Sequence, residues 1–79
     1  MNNEKILEIK KFFFEKKYLE LIYLIEHQID DKDINSSLLN LLGACKVIKE
    51  KPAKEDFTSA IEHFRQAYLK EKQTKIALE

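Results

Sequence analysis

The sequence predicts an all-α fold built from two antiparallel helical hairpins, either closed as a four-helix bundle or arranged as an open stack. Its 79 residues include one glycine and one proline, too few turn-forming residues for an all-β fold. Apolar residues recur at helical spacing in four segments, and the short connections between these segments favour antiparallel neighbours. A composition of 44% hydrophobic and 35% charged residues is typical of a folded, helix-rich protein. We therefore expect a single domain over residues 1–77.

The first predicted helix runs from Asn3 to about Lys16, with Asn2 or Asn3 as its cap. Three successive phenylalanines stand at positions 12–14. Successive helical residues are about 100° apart, so these three rings cannot all face one neighbour. At least one of them is expected to face a groove, another chain or solvent.

The second predicted helix runs from about Tyr18 to Ile29 and is apolar around nearly its whole circumference. Such a pattern predicts a helix that is covered on more than one side. The third helix is expected to start after Asn35 or Ser36, both good N-caps, and to end near Lys49. Together these helices supply most of the predicted core.

The fourth predicted helix begins between Pro52 and Glu55 and ends near Glu71. It carries one apolar stripe opposite a charged face, which places it nearer an edge of the fold. Residues 72–77 are interpreted as the approach to a fifth helix. The last two residues, 78–79, are Leu-Glu, which a common cloning site encodes ahead of a polyhistidine tag. They are interpreted either as a remnant of such a tag or as natural residues of the protein.

Charge and composition exclude several classes of partner. The 14 basic and 14 acidic residues give a net charge of zero, and Arg65 is the one arginine, so we expect no nucleic-acid partner. The longest apolar run is too short to span a bilayer, so we expect no membrane partner. Cys45 is the one cysteine, which excludes an internal disulfide and favours a reducing, cytoplasmic location.

The residue patterns predict neither an enzyme nor a cofactor or metal site. His27 and His63 lie in corresponding helices, but their flanking glutamates point about 100° away from them. The acidic turn at 30–33 lacks the glycine and the distal glutamate of a calcium loop. Cys45 is expected to be a buried small apolar residue and not a reactive thiol.

The third and fourth helices resemble a tetratricopeptide repeat. In that family the first helix carries leucines before a glycine, and the second helix follows the pattern A-x3-F-x2-A. In this sequence the glycine is Gly43, the lone glycine of the chain. The residues expected to pack the repeat are Leu39, Leu42, Gly43, Phe57, Ala60, Phe64 and Ala67.

The first two helices match the repeat pattern in phase, although Leu21 replaces the small residue and Ile25 occupies the following apolar slot. Repeat 1 then covers about 2–35 and repeat 2 about 36–73, and the second matches more clearly. The resemblance implies a right-handed superhelical stack of the hairpins. Lys46 stands where the family often has an aromatic residue.

The resemblance also implies a non-catalytic protein-interaction module. In the family, the first helix of each repeat lines a concave groove that holds a peptide or protein segment. Carried onto this chain, the groove is lined by Asn3, Ile6, Lys10, Phe13, Ser37, Asn40, Ala44 and Val47.

Two further hypotheses stay open. An array needs about three repeats or a capping helix, which favours an N-terminal part of a longer protein. The phrase LLNLLG also resembles repeat arrays that precede glycosyltransferase or sulfotransferase domains in some bacteria. The other hypothesis is a structural homodimer, in which two copies bury the edge of the fourth helix and a phenylalanine against each other.

Overall fold

The computed structural model describes the backbone of residues 3–78 and the side chains of residues 3–72. The all-α prediction is confirmed, since the described backbone forms helices and contains no strand. Asn2, the alternative first cap, and Glu79 lie outside the described residues. The four α-helices are α1 (Asn3–Phe14), α2 (Tyr18–Tyr23), α3 (Ser36–Ile48) and α4 (Lys54–Leu78).

Helix α1 ends two residues before the predicted Lys16, at Phe14. Lys16 has a left-handed backbone with φ of 60°. The N–H of Lys17 donates to the Phe12 carbonyl (2.8 Å), and the N–H of Lys16 donates to the Phe13 carbonyl (3.1 Å). This pair of bonds is a Schellman motif, which satisfies the last carbonyls of the helix and turns the chain into α2.

The second predicted helix is regular only as far as Tyr23. It continues as a π-helical turn over Leu24–Gln28, and a 3-10 turn follows at Asp31–Asp33. The wider turn still directs Leu24 and Ile25 into the core, where both are almost fully buried. Leu19 and Tyr23 are exposed, so the covering of α2 is less complete than its all-apolar pattern predicts.

Helix α3 begins where one of the two predicted caps stands. The Asn35 side chain accepts a hydrogen bond of 2.9 Å from the Leu38 N–H, which satisfies one of the donors that a helix start leaves open. Helix α3 contributes Leu38, Leu39, Leu42 and Cys45 to the buried interior. It contacts both α2 and α4 and is therefore the central element of the fold.

The start of helix α4 is fixed from two sides. The Ala53 N–H donates to Asp56 Oδ2 (2.7 Å), and Lys49 at the end of α3 forms an ion pair with the same carboxylate (3.0 Å). These two contacts hold the pKa of Asp56 below its ordinary value, the backbone bond being the larger cause.

The expected fifth helix is wrong, because residues 72–77 continue α4 to Leu78. No glycine or proline interrupts this segment, so nothing stops the helix. With 25 residues α4 is about 37 Å long, whereas the 13 residues of α3 span about 20 Å.

The core lies between α1, α2 with its π-helical turn, and α3. Its buried residues are Ile9, Leu21, Leu24, Ile25, Ile29, Leu38, Leu42 and Cys45. Consecutive helices pack against each other, most extensively α3 against α4. In the part of the chain that the structure describes, no helix combines the length and apolar character needed to cross a bilayer. The superhelical, repeat-like arrangement of the two hairpins remains a prediction.

Candidate functional site

A row of exposed apolar side chains lies on α4, and we call it the α4 stripe. Its members are Phe57 (48% exposed), Ile61 (68%), Phe64 (39%) and Tyr68 (64%). Their spacing of four, three and four residues places them within about 60° of one another around the helix. They therefore form one continuous band along the helix axis.

The α4 stripe is exposed because the adjacent side of the helix is the one that packs against α3. Ala60 and Ala67 occupy that side, and each is only 1% exposed. A Cβ placed on Gly43 would lie 2.8 Å from Phe64 Cε1 and 3.2 Å from the Ala60 carbonyl oxygen. Such small residues bring the two helices so close that the larger rings lie beside the contact, half in solvent.

The area of this patch is characteristic of an interaction site. Aromatic side chains present about 150–250 Å² each when fully exposed, so the four members of the stripe expose roughly 450 Å² of apolar surface. The largest apolar patch of a typical monomer falls in the range of about 300–600 Å² and often marks an interaction site.

The predicted groove residues divide into two groups by burial. Asn3, Lys10, Phe13, Ser37 and Asn40 are exposed, whereas Ile6, Ala44 and Val47 are partly buried. Three clefts, of about 580, 420 and 280 Å³, are lined by residues that do not belong to this predicted groove. Within the described residues, more exposed apolar surface therefore gathers on α4 than on the predicted groove.

The residues predicted to pack the repeats also divide into two groups. Buried are Leu21, Ile25, Leu39, Leu42, Gly43, Ala60 and Ala67. Phe57 and Phe64 are half-exposed members of the α4 stripe, so their rings pack less completely than the pattern predicts. In α1, Phe12 packs against the core, Phe13 contacts the Tyr18 ring edge-on, and Phe14 is 88% exposed.

A polar cluster that the sequence did not reveal surrounds Lys46, whose side chain is 11% exposed. The Lys46 ammonium group donates to Ser59 Oγ (2.8 Å) and contacts His63 Nε2 (2.9 Å) and Glu26 Oε2 (3.3 Å). Burial and the Lys46 charge lower the pKa of His63, which favours a neutral ring that accepts the lysine's hydrogen bond. The cluster thus links the π-helical turn, α3 and α4.

The cluster contains a serine and a histidine, as many hydrolytic sites do, but the surroundings of Ser59 and His63 differ from those of such a site. Ser59 Oγ lies 3.2 Å from His63 Nε2, beside the cleft of about 580 Å³. Both residues lie within α4, where backbone N–H groups are used by the helix and cannot form an oxyanion hole. His63 Nδ1 is buried without a hydrogen-bond partner, so no second group orients the ring as a catalytic base would require. Among the described residues, the cluster therefore lacks both an oxyanion hole and a group that orients His63.

Cys45 and His27 lie apart from this cluster. Cys45 is fully buried, and this burial raises the pKa of its thiol to about 11, so the nucleophilic thiolate is disfavoured. His27 is exposed, and its ring contacts the Tyr23 ring at a tilt of 44°, with 4.8 Å between ring centroids. Among the described residues, no three His, Cys, Asp or Glu side chains converge as a metal site.

Comparison with protein families, with curated proteins and with solved structures finds no match to this chain. Its function is therefore inferred from its own residues, among which the α4 stripe and the Lys46 cluster are the two distinctive features.

Proposed function

We propose that this chain is a non-catalytic protein-interaction module that presents the α4 stripe to another protein chain. The observation that carries the proposal is the continuous apolar band of roughly 450 Å² on a regular helix. An amphipathic helical face of this kind binds another helix by anchors at i, i+4 and i+7, which is the spacing of Phe57, Ile61 and Phe64. Large aromatic anchors contribute most of the binding energy in such contacts.

The proposed contact surface is the α4 stripe, which differs from the groove that the sequence predicts. Several predicted groove positions hold small polar or charged residues, such as Ser37, Asn40 and Lys10, which provide little apolar area to bury. The α4 stripe concentrates four large apolar side chains in about 16 Å of helix. A reducing compartment such as the cytoplasm fits the same proposal, because Cys45 is a buried thiol without a disulfide partner.

Site-specific photo-crosslinking tests the proposal. A photoreactive phenylalanine analogue replaces Ile61 in the stripe or, as a control, Gln66 on the opposite side of α4, in cells that express the whole protein. Position 61 is expected to give an adduct of defined mass with a protein chain, and position 66 is expected to give none. If position 61 yields only the uncrosslinked protein, the module hypothesis is wrong.

A further inference from the structure

Resting on the proposed function, we propose that the chain covering the α4 stripe is a second copy of this protein, packed antiparallel about a two-fold axis. Each α4 then supplies the same surface to the other, so the interface is isologous and closes at two subunits. The inference rests on the spacing of the stripe, on the charges at its two ends and on its area.

The spacing of the stripe is symmetric about its centre. Phe57, Ile61, Phe64 and Tyr68 are separated by four, three and four residues, the alternation of d and a positions in a heptad. Reversing the helix direction leaves this pattern unchanged. In an antiparallel pair Phe57 therefore lies opposite the second copy's Tyr68, and Ile61 lies opposite its Phe64.

The residues that extend the stripe by one position at each end carry opposite charges. Lys54 precedes Phe57 by three residues and Glu71 follows Tyr68 by three, and both are exposed. An antiparallel pair places each Lys54 against the Glu71 of the other copy, at both ends of the interface. A parallel pair would instead place lysine against lysine and glutamate against glutamate. The charges thus favour the antiparallel orientation.

The area of the stripe limits the strength of the association. Two patches of roughly 450 Å² bury about 900 Å² in total, just below the range of stable specific interfaces. A dimer of this size is expected to be weak and to dissociate on dilution. Because α3 packs on the Ala60 and Ala67 side of the helix, formation of the dimer requires no rearrangement of the hydrophobic core.

Sedimentation equilibrium at low ionic strength, from about 1 µM to 1 mM protein, tests the inference. The wild type is expected to change from monomer to dimer across this range. Ile61→Lys is expected to remain a monomer, because it places a charge opposite Phe64, whereas the matched control Leu7→Lys, at an exposed position of α1, retains the dimer. Circular dichroism verifies that each variant is folded. A wild type that is monomeric at every concentration overturns the inference.

A charge exchange tests the orientation. Lys54→Glu alone, or Glu71→Lys alone, is expected to weaken the dimer roughly threefold to tenfold, since two exposed ion pairs become like-charge contacts. The double variant Lys54→Glu/Glu71→Lys is expected to return to the wild-type dissociation constant. Single variants without an effect, or a double variant that remains weak, overturn the antiparallel arrangement.

The crosslinking experiment separates this inference from the proposed function on which it rests. An adduct at position 61 with twice the mass of the chain supports the second copy. An adduct of any other mass overturns the second copy but retains the interaction module, and the absence of an adduct overturns both.

Discussion

The substitution Gly43→Ala probes the contact between α3 and α4 with a single methyl group. The new Cβ would lie 2.8 Å from Phe64 Cε1, 3.0 Å from Phe64 Cζ and 3.2 Å from the Ala60 carbonyl oxygen. All three distances are shorter than ordinary van der Waals contact, so at least one neighbour has to move. We expect the substitution to destabilise the fold.

The magnitude follows from two opposing effects. Alanine is favoured over glycine inside a helix by about 1 kcal/mol. Overpacking a close contact costs about 1–3 kcal/mol, and the cost depends on which neighbour yields. The half-exposed Phe64 ring has room to rotate, but the Ala60 oxygen belongs to the α4 backbone and moves only if the helices separate. The net result is a loss of about 1 kcal/mol in the free energy of unfolding.

Urea titration followed by circular dichroism measures this loss. The variant Ile61→Lys is compared with the double variant Ile61→Lys/Gly43→Ala. Both are expected to be monomers, so self-association does not contribute to the free energy of unfolding. The matched control introduces Gly43→Ala into a Phe64→Ala variant, where only the contact with the Ala60 oxygen remains, and most of the loss is expected to persist. If Gly43→Ala instead raises stability by about 1 kcal/mol, the close crossing of α3 and α4 is wrong.

Three further predictions concern the ends of the helices and the Lys46 cluster. Lys16→Gly should raise the free energy of unfolding by about 1 kcal/mol, because Lys16 has a left-handed backbone, whereas Lys17→Gly should bring no gain in the same urea titration. Asn35→Ala should lower it by about 1 kcal/mol through the lost bond to the Leu38 N–H, and Asn35→Ser should retain most of the stability; equal losses would contradict a capping role. The pKa of His63 is lowered in the folded chain from 6.5, so its contribution to stability should be complete above about pH 6.5 and decrease as the pH falls below it. His63→Gln should remove that part of the pH dependence, and an unchanged profile would refute the assignment.

The sequence predicted the features that depend on neighbouring residues. Asn35 caps α3 as its residue type indicates, and Gly43 lies at the close crossing of α3 and α4. The predicted end of α1 lies two residues beyond the observed one, because the left-handed conformation of Lys16 accompanies the Schellman bonds and no glycine marks it in the sequence. The predicted end of α4 lies seven residues before the observed one at Leu78, since no residue after Glu71 stops the helix.

The Lys46 cluster was not predictable from local patterns. Its partners Glu26, Ser59 and His63 lie 20, 13 and 17 residues away along the chain, and only the packing of three elements brings them together. One signal was present in the sequence, since Lys46 stands where the resembling family often has an aromatic residue. A charged residue at an expected core position indicates a partner nearby, because an unpaired buried charge is strongly unfavourable.

The unequal lengths of α3 and α4 divide the longer helix into regions of different local stability. At most about half of the α4 length can lie along α3. Near Ala60, amide hydrogens are protected by the packed helices and exchange with solvent only when the fold opens globally. We expect amide exchange to become faster outside the part of α4 that packs on α3, because a helix without such packing is marginal in water. A chain bound on the α4 stripe would slow the exchange of residues 57–68 further, because binding stabilises the folded state that protects them.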